Sequence, residues 1–251
     1  TETDIWRRAR QSIERRQLGS ARAAVAILDA VAADLVQALF ENPQRHLETA
    51  DLSTATGREL AVLAAARQAI LDPAMAAQWL QVQGRALSAG QRDWLWGSIG
   101  RQAALNLDLQ ATGYFSRAGS LRHFDEEHLE WMARNALRHG QWAQVRQAIE
   151  AMNTVTRQQP AWAYWLARSL QNGQQRPAQR SRKAETLLQQ IAGHQGFYEL
   201  LALEELRGHI DAAQPVRNPD AQELATARAN PGLQRALHVL QPAAHTPPLL
   251  P

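Results

Sequence analysis

The chain has 251 residues, 45% of them apolar, and a formal net charge of only +3. This apolar content excludes a disordered chain, and the absence of cysteine excludes disulfides, thiolate catalysis and cysteine-based zinc sites. Lys183 is the only lysine, and the arginines alternate with acidic and amide residues instead of forming a basic stripe, which argues against a nucleic-acid partner.

Helices are predicted throughout the N-terminal half, because good helix formers dominate and β-branched runs are missing. Asp4 is predicted to cap the first helix, Gly19-Ser20 to break it, and Pro43 to lie in a later break. Ser53 or Thr54 is expected to cap a further helical region. In chain order the other expected helices cover 21–39, 58–71, 73–82 after an Asp72-Pro73 restart, and a segment opened by Ser88-Ala-Gly90.

The second half continues the helical pattern as far as Gly208. Acidic residues at 125–127 mark the first turn of a helix, where the helix dipole favours negative charge. The expected helices cover 109–118, 125–140, 141–152, 162–173, 183–191 and 196–206. We predict a solenoid over 1–208, linker helices at 221–229 and from Asn230 within 209–240, and a Pro-rich, disordered tail over 241–251.

An internal repeat lies in the middle of the chain. Trp131, Ala133 and Arg134 recur as Trp165, Ala167 and Arg168, a shift of 34 residues, and Trp96 precedes Trp131 by 35. This period is typical of stacked helix hairpins, in which each hairpin covers the apolar stripe of its neighbour. The predicted fold class is therefore all-α, a superhelical solenoid of tetratricopeptide-like hairpins.

The order of several segments carries a resemblance to a known family. They are Trp94-Leu-Trp-Gly97, 128–142, 148–152, Gln158–Arg168, the Phe197-Tyr198 segment from His194 to Leu206, and 230–237. Along nearly the whole chain, to about Leu240, these segments resemble the superhelical part of bacterial soluble lytic murein transglycosylases. The Phe-Tyr segment after a tryptophan hairpin is the most specific of them.

The resemblance implies a long array of helices that curls into a ring, on which a separate lysozyme-like domain cleaves the glycan of peptidoglycan. That family forms 1,6-anhydro-muramoyl ends without water, metal or cofactor. One glutamate of the catalytic domain acts as acid and then as base. The enzymes are periplasmic.

The sequence departs from that family at the catalytic motif. The family's glutamate lies in a motif of the kind Arg-Gln-Glu-Ser, and no such string occurs here. Two explanations stay open: the catalytic domain was removed or left out of this chain, or the chain is a degenerate, non-catalytic relative. Whether the chain is an enzyme is therefore uncertain, and we expect it to be inactive alone.

Two carboxylate pairs are the candidates for acid–base chemistry, Glu126-Glu127 and Glu204-Glu205. A glycan-cleaving acid needs an apolar pocket that raises its pKa, whereas a helix N-terminus at Glu126 and Glu127 favours the charged form. Glu204 and Glu205 are placed in the polar stripe of the helix that begins near Phe197. We predict structural roles for all four, and thus no catalytic residue.

Metal and cofactor sites are not expected. His123 and His128 are five residues apart and do not share a helical face, and no His-Glu-x-x-His string exists. Phosphate loops, dinucleotide fingerprints and nucleophile elbows are also missing from the sequence. We therefore predict no metal-binding and no cofactor-binding residues.

The eight tryptophans have two interpretations. Aromatic rings suit the faces of sugars, but residues that recur at the repeat period normally pack against a neighbouring helix. Trp131 and Trp165 are therefore predicted to belong to the core. Trp94, Trp142 and Trp162 are less constrained by the repeat and remain candidates for exposed positions.

Two hypotheses about function follow. The first is a superhelical scaffold that positions peptidoglycan glycan strands for a catalytic domain, with other cell-wall enzymes as further candidate partners. The alternative is a tetratricopeptide-like adaptor that binds a protein. No apolar run reaches the roughly 20 residues of a membrane span. The first hypothesis places the protein in the periplasm, with an export signal removed before Thr1-Glu-Thr-Asp.

Overall fold

The computed structural model describes residues 1–28, 33–172, 177–193, 195–206 and 218–240, without the side chains of 33–34, 177–181 and 236–240. These parts form sixteen α-helices and contain no β-strand, which confirms the all-α prediction. In chain order the helices are α1 Glu2–Glu14, α2 Leu18–Val25, α3 Ala33–Glu41, α4 Pro43–Thr49, α5 Ala55–Leu71, α6 Pro73–Gln83, α7 Ala89–Leu105, α8 Ala111–Phe115, α9 Glu126–Arg138, α10 Trp142–Ala151, α11 Thr154–Arg157, α12 Pro160–Gln171, α13 Pro177–Ile191, α14 Phe197–Glu205, α15 Ala221–Ala229 and α16 Pro231–Leu240.

Several helices begin where local capping chemistry predicts. Thr54, Asp72 and Ser88 cap α5, α6 and α7 through their side chains. Each cap satisfies backbone N–H groups that the first helical turn leaves without a partner. The cap of α1 was predicted wrongly: Thr1 is the cap, and Asp4 completes a capping box three residues later.

Two predicted breaks occur earlier in the chain than expected, the first by several residues and the second by one, at Asn42. Gly19 lies inside α2, and the chain turns instead before it, where Arg16 adopts a φ of 59°. A residue in this left-handed region cannot continue a right-handed helix. Pro43 begins α4 after the cap Asn42. Proline is tolerated there because the backbone N–H at the first position of a helix has no intrahelical partner. The single helix expected over 21–39 is wrong, because α2 ends at Val25 and residues 26–28 form a turn. Residues 29–32 lie outside the described residues, and α3 begins at Ala33.

Stacked hairpins build the first of two compact units, Thr1–Gly208. Helix α5 packs on α6, α7 on α8, α9 on α10 and α12 on α13, while α7 contacts α5 and α9. The first helices of these hairpins are capped by Thr54, Ser88, Asp125 and Gln159, at spacings of 34, 37 and 34 residues. The structure thus has the hairpin repeat that the sequence predicts.

The register of the repeat differs from the prediction at one tryptophan. Counted from the caps Ser88, Asp125 and Gln159, the sixth residues are Trp94, Trp131 and Trp165. Trp94, and not Trp96, is therefore the structural equivalent of Trp131. The error arises because the interval from Ser88 to Asp125 is three residues longer than the 34-residue intervals before and after it, and a fixed period does not allow for an insertion.

Helix α5 lies at the centre of the first unit. Every side chain from Ala61 to Ala66 is fully buried, and the helix contacts α1, α4, α6 and α7. A helix that has neighbours on all sides has no polar face. Its alanines are small enough to let those neighbours approach closely.

The second unit, His209–Pro251, is described over α15 and α16, which contact each other. Asn230 caps α16 through its Oδ1, which accepts from the backbone N–H groups of Gly232 at 2.8 Å and Leu233 at 3.2 Å. The predicted helix start at Asn230 is therefore confirmed. The linker expected over 209–217 and the tail over 241–251 lie outside the described residues. Nowhere in the described parts is a helix both long enough and apolar enough to cross a membrane.

Candidate functional site

A groove with a volume of about 570 Å³ lies between two successive hairpins. Helices α10, α12 and α13 and the end of α11 form its walls. Its lining combines an apolar floor with a polar rim. The floor is Ala163, Leu166, Leu187 and Ile191, and the rim is Glu150, Arg157, Gln158, Lys183 and Gln190.

The rim of this groove carries two cations and one carboxylate. Lys183 Nζ lies 3.9 Å from Glu150 Oε1, and both side chains are largely exposed. Arg157 Nη1 donates to the backbone carbonyl of Glu150 at 3.2 Å. An exposed pair at this separation contributes about 0–1 kcal/mol, so Lys183 is held only weakly by Glu150.

A cluster of aromatic rings joins α12 to α14. The Tyr198 ring lies 5.6 Å from that of Tyr164, 6.3 Å from that of Trp165 and 5.1 Å from that of Phe197. Trp165 Nε1 also donates to the Tyr198 hydroxyl at 3.3 Å. Phe197 is 70% exposed, so one edge of the cluster faces solvent. His194, which precedes this segment, lies outside the described residues.

The predicted carboxylate pair at the end of α14 belongs to the same region. Glu205 forms an ion pair with Arg168 and accepts from the Tyr164 hydroxyl at 3.4 Å. Burial, together with the Glu205 carboxylate, raises the pKa of the Tyr164 phenol. Glu204 is exposed. Glu205 therefore links α14 to α12, a contact that suits the structural role predicted for it.

The other carboxylate pair anchors the start of α9. Glu126 Oε1 accepts from the backbone N–H of Asn153 at 3.0 Å. Glu127 Oε2 lies 3.3 Å from Arg101 Nη2, whose side chain is 11% exposed. The two glutamates thus bind different neighbours, and neither contacts the other pair at Glu204 and Glu205.

A buried polar centre, which the sequence did not reveal, lies where α1, α7 and α9 meet. His128 Nε2 and Glu14 Oε1 are 2.9 Å apart, with side-chain exposures of 0% and 3%. Asp125 Oδ2 accepts from Trp94 Nε1 at 3.0 Å, and the Trp94 ring lies 5.5 Å from that of His128. Glu14 and His128 are 114 residues apart in sequence, so no local sequence pattern predicts their contact.

Electrostatics keep Glu14 ionised in this centre. Burial alone favours the neutral carboxyl, but the charge and hydrogen bond of His128, with a smaller contribution from Arg101, hold the pKa of Glu14 below its usual value. A general acid for glycan cleavage requires the opposite shift. Glu14 is therefore a structural group and not a candidate acid.

Glu14, Asp125 and His128 also bring three potential ligand atoms within 4.8 Å of one another. Two carboxylates and an imidazole are a donor set that divalent cations accept. Here, however, Glu14 and His128 are already bonded directly to each other, and Arg101 adds positive charge near Glu14. We assign the cluster to a hydrogen-bonded carboxylate–imidazole pair, and the absence of a metal site stays a prediction. His123 lies apart from it, beside Gly90.

We expect Gly97→Ala to destabilise the protein by about 1–3 kcal/mol, as overpacking of a core does. A Cβ at this position of α7 would lie 2.5 Å from His128 Nδ1 and 3.1 Å from Phe124 Cδ1, and the buried His128 ring cannot move away without losing Glu14. Urea denaturation measures the change. Gly113→Ala is the matched control, since a Cβ there meets no atom within 4 Å. Equal effects of the two substitutions would contradict the close approach.

The tryptophans only partly follow the prediction. Trp131 and Trp165 are partly buried against the core, as expected. Trp94 and Trp162, predicted as candidates for exposure, are only 4% and 5% exposed, whereas Trp142 is half-buried. Trp162 is covered in part by Arg134, whose guanidinium lies 5.0 Å from its ring and 5.3 Å from that of Trp131. Tertiary contacts of this kind have no signature in a single sequence.

Two solved structures are similar to this chain over 96% of its length, each with a TM-score of 0.58. One is an inactive mutant of the lytic transglycosylase Slt from Pseudomonas aeruginosa, with 24% sequence identity. The other is the 70 kDa soluble lytic transglycosylase Slt70 from Escherichia coli, with 19% identity. The chain has the superhelical lytic-transglycosylase fold.

The match confirms the resemblance stated from the sequence at the level of fold. The chain spans 39% of the length of each of these two lytic transglycosylases. No protein-family model matches the chain, and no curated protein matches it. For this chain, the activity and substrates of these lytic transglycosylases are therefore a proposal only.

Proposed function

We propose that this chain is the non-catalytic superhelical scaffold region of a peptidoglycan lytic transglycosylase. The observation that carries the proposal is the likeness to two lytic transglycosylases over 96% of this chain and 39% of theirs. The whole enzyme would cleave between N-acetylmuramic acid and N-acetylglucosamine and leave 1,6-anhydro ends. The scaffold would act in the periplasm and position glycan strands for a catalytic domain outside these 251 residues.

The carboxylates of the first unit support a scaffold more than an active site. Glu14 is buried but has a lowered pKa, and Glu126 and Glu127 are engaged by Asn153 and Arg101. Cleavage of a glycosidic bond needs a carboxylic acid that stays protonated near neutral pH. The stacked hairpins instead offer an extended surface, which is how solenoid proteins hold long ligands.

We expect the purified chain to sediment with peptidoglycan sacculi and to release no anhydro-muropeptides from them. The first result follows from the scaffold role, and the second from the lack of a suitable acid among the carboxylates that the structure describes. Sedimentation measures binding, and chromatography of the soluble products measures cleavage, with an active lytic transglycosylase as the positive control. Release of anhydro-muropeptides by this chain alone would overturn the assignment of catalysis elsewhere. Capture of a protein partner without any sedimentation would favour the adaptor hypothesis.

A further inference from the structure

We propose that the groove between α10, α12 and α13 binds a short acidic peptide, of the class that branches from the glycan of peptidoglycan. The inference rests on the proposed function and names the part of the polymer that the scaffold contacts. The groove's volume of about 570 Å³ lies within the range of roughly 300–1,000 Å³ that is common for small-ligand sites. A peptide of a few residues fits such a space.

The charged side chains on the rim of the groove favour an anionic ligand. Arg157 and Lys183 place two positive groups on the rim, against the single carboxylate of Glu150. The Lys183 side chain is 61% exposed and lies 3.9 Å from its acidic neighbour, so an incoming carboxylate can replace that contact. Hydrogen bonds between ionised partners are about twice as strong as neutral ones, and they favour a ligand with free carboxylates.

The uncharged residues that line the groove favour a peptide ligand over a glycan strand without peptides. Gln158 and Gln190 offer both donors and acceptors, which match the N–H and C=O groups of a peptide backbone. The floor, which includes Leu166 and Leu187, matches small apolar side chains such as that of alanine. None of the described residues that line the groove is aromatic, so it lacks the flat ring surface on which a sugar face stacks.

Sedimentation with two forms of peptidoglycan tests the inference. Intact sacculi carry the peptide, and glycan strands that an amidase has stripped of it, immobilised on beads so that they sediment, provide the glycan alone. We expect the chain to bind intact sacculi at least about tenfold more tightly than the stripped strands, because at least one charge-assisted bond is lost. The double variant Arg157→Ala/Lys183→Ala should show a similar loss on intact sacculi and little difference between the two forms.

The control keeps the change in net charge but leaves the groove intact. Arg85 and Arg138 are exposed and do not line the groove, so Arg85→Ala/Arg138→Ala should bind intact sacculi as the wild type does. A Lys183→Arg variant keeps the rim charge and should retain most of the binding. Equal weakening by both double variants would overturn the inference and indicate general charge attraction.

Because Lys183 is the only lysine of the chain, its amine can be followed separately by mass spectrometry. A soluble acidic tetrapeptide should slow modification of Lys183 by an amine-reactive reagent at least about twofold when it half-saturates the groove or better. A neutral, amidated form of the peptide should protect less. No protection by the acidic peptide would overturn the inference.

The two experiments separate the inference from the proposed function. Equal binding of the wild type to peptidoglycan with and without its peptide would contradict peptide binding by the groove. It would remain consistent with a scaffold that binds the glycan. Failure to bind either form, together with protection of Lys183 by the peptide, would count against the scaffold and support a peptide-binding groove.

Discussion

Glu14→Ala should lower the free energy of unfolding by about 1–3 kcal/mol, the usual effect of leaving a buried hydrogen-bonding group without its partner. The substitution removes the carboxylate that lies 2.9 Å from His128 Nε2 and leaves the fully buried ring without this partner. It also removes a side-chain contact between α1 and α9. Glu14→Gln keeps the shape and a hydrogen-bonding group, so it should lose less. The measurement is urea denaturation followed by circular dichroism at neutral pH.

The matched control is Glu48→Ala, which removes an exposed carboxylate that accepts one hydrogen bond from Gln44. We expect it to change stability by less than about 0.5 kcal/mol, as surface substitutions do. If Glu14→Ala were as mild as Glu48→Ala, the buried pair would not hold the first unit together.

Acid provides a second readout of the same variants. Since folding lowers the pKa of Glu14 below its usual 4.5, the carboxylate contributes stability that is fully present above that value. The contribution is lost as the pH falls through the lower pKa of the folded state, where the neutral acid no longer pairs with His128. Stability of the wild type should therefore fall more steeply below pH 4.5 than that of Glu14→Gln. Parallel curves would indicate that other carboxylates account for acid lability.

Trp94→Ala should destabilise the protein by about 3–5 kcal/mol. Only 4% of Trp94 is exposed, and its indole packs against His128, donates to Asp125 and lies 5.6 Å from the guanidinium carbon of Arg10. Trp94→Phe keeps an aromatic ring but lacks the N–H donor, so it should fall between the wild type and the alanine variant. Thermal and urea denaturation both measure the loss.

Trp142→Ala is the control for Trp94→Ala, because it removes the same side chain from a half-buried position. A smaller loss is expected there, since less apolar surface leaves water when Trp142 packs. A larger loss at Trp142 would contradict the burial that the structure assigns to these two residues.

The limits of sequence interpretation are clearest at the helix ends. The caps Thr54, Asp72 and Ser88 were predictable, because a cap depends on residues within one turn. Gly19 was predicted wrongly as a break. Glycine lowers helix propensity by only about 1 kcal/mol, and packing of α2 against α1 outweighs that preference. The left-handed turn at Arg16 has no sequence signal, since arginine is not typical of that conformation.

Neither the candidate groove nor the buried polar centre could be predicted from the sequence. Glu150, Arg157 and Lys183 come from three helices, and their convergence depends on how α10 and α13 pack on α12. The sequence does contain the predicted carboxylate pairs, but it assigns them no partners. Their contacts with Arg101, Asn153 and Arg168 follow from helix packing alone.

By itself, the sequence determined what is local or periodic: an all-α chain, most helix starts, the hairpin repeat and the resemblance to lytic transglycosylases. These properties depend on neighbouring residues and on spacing, which the sequence contains directly. Tertiary structure alone decided that Trp94 and Trp162 are buried, that Glu14 pairs with His128, and that a cationic groove lies between hairpins. Burial and pairing are set by side chains that are distant in sequence, and small changes in loop length redirect them.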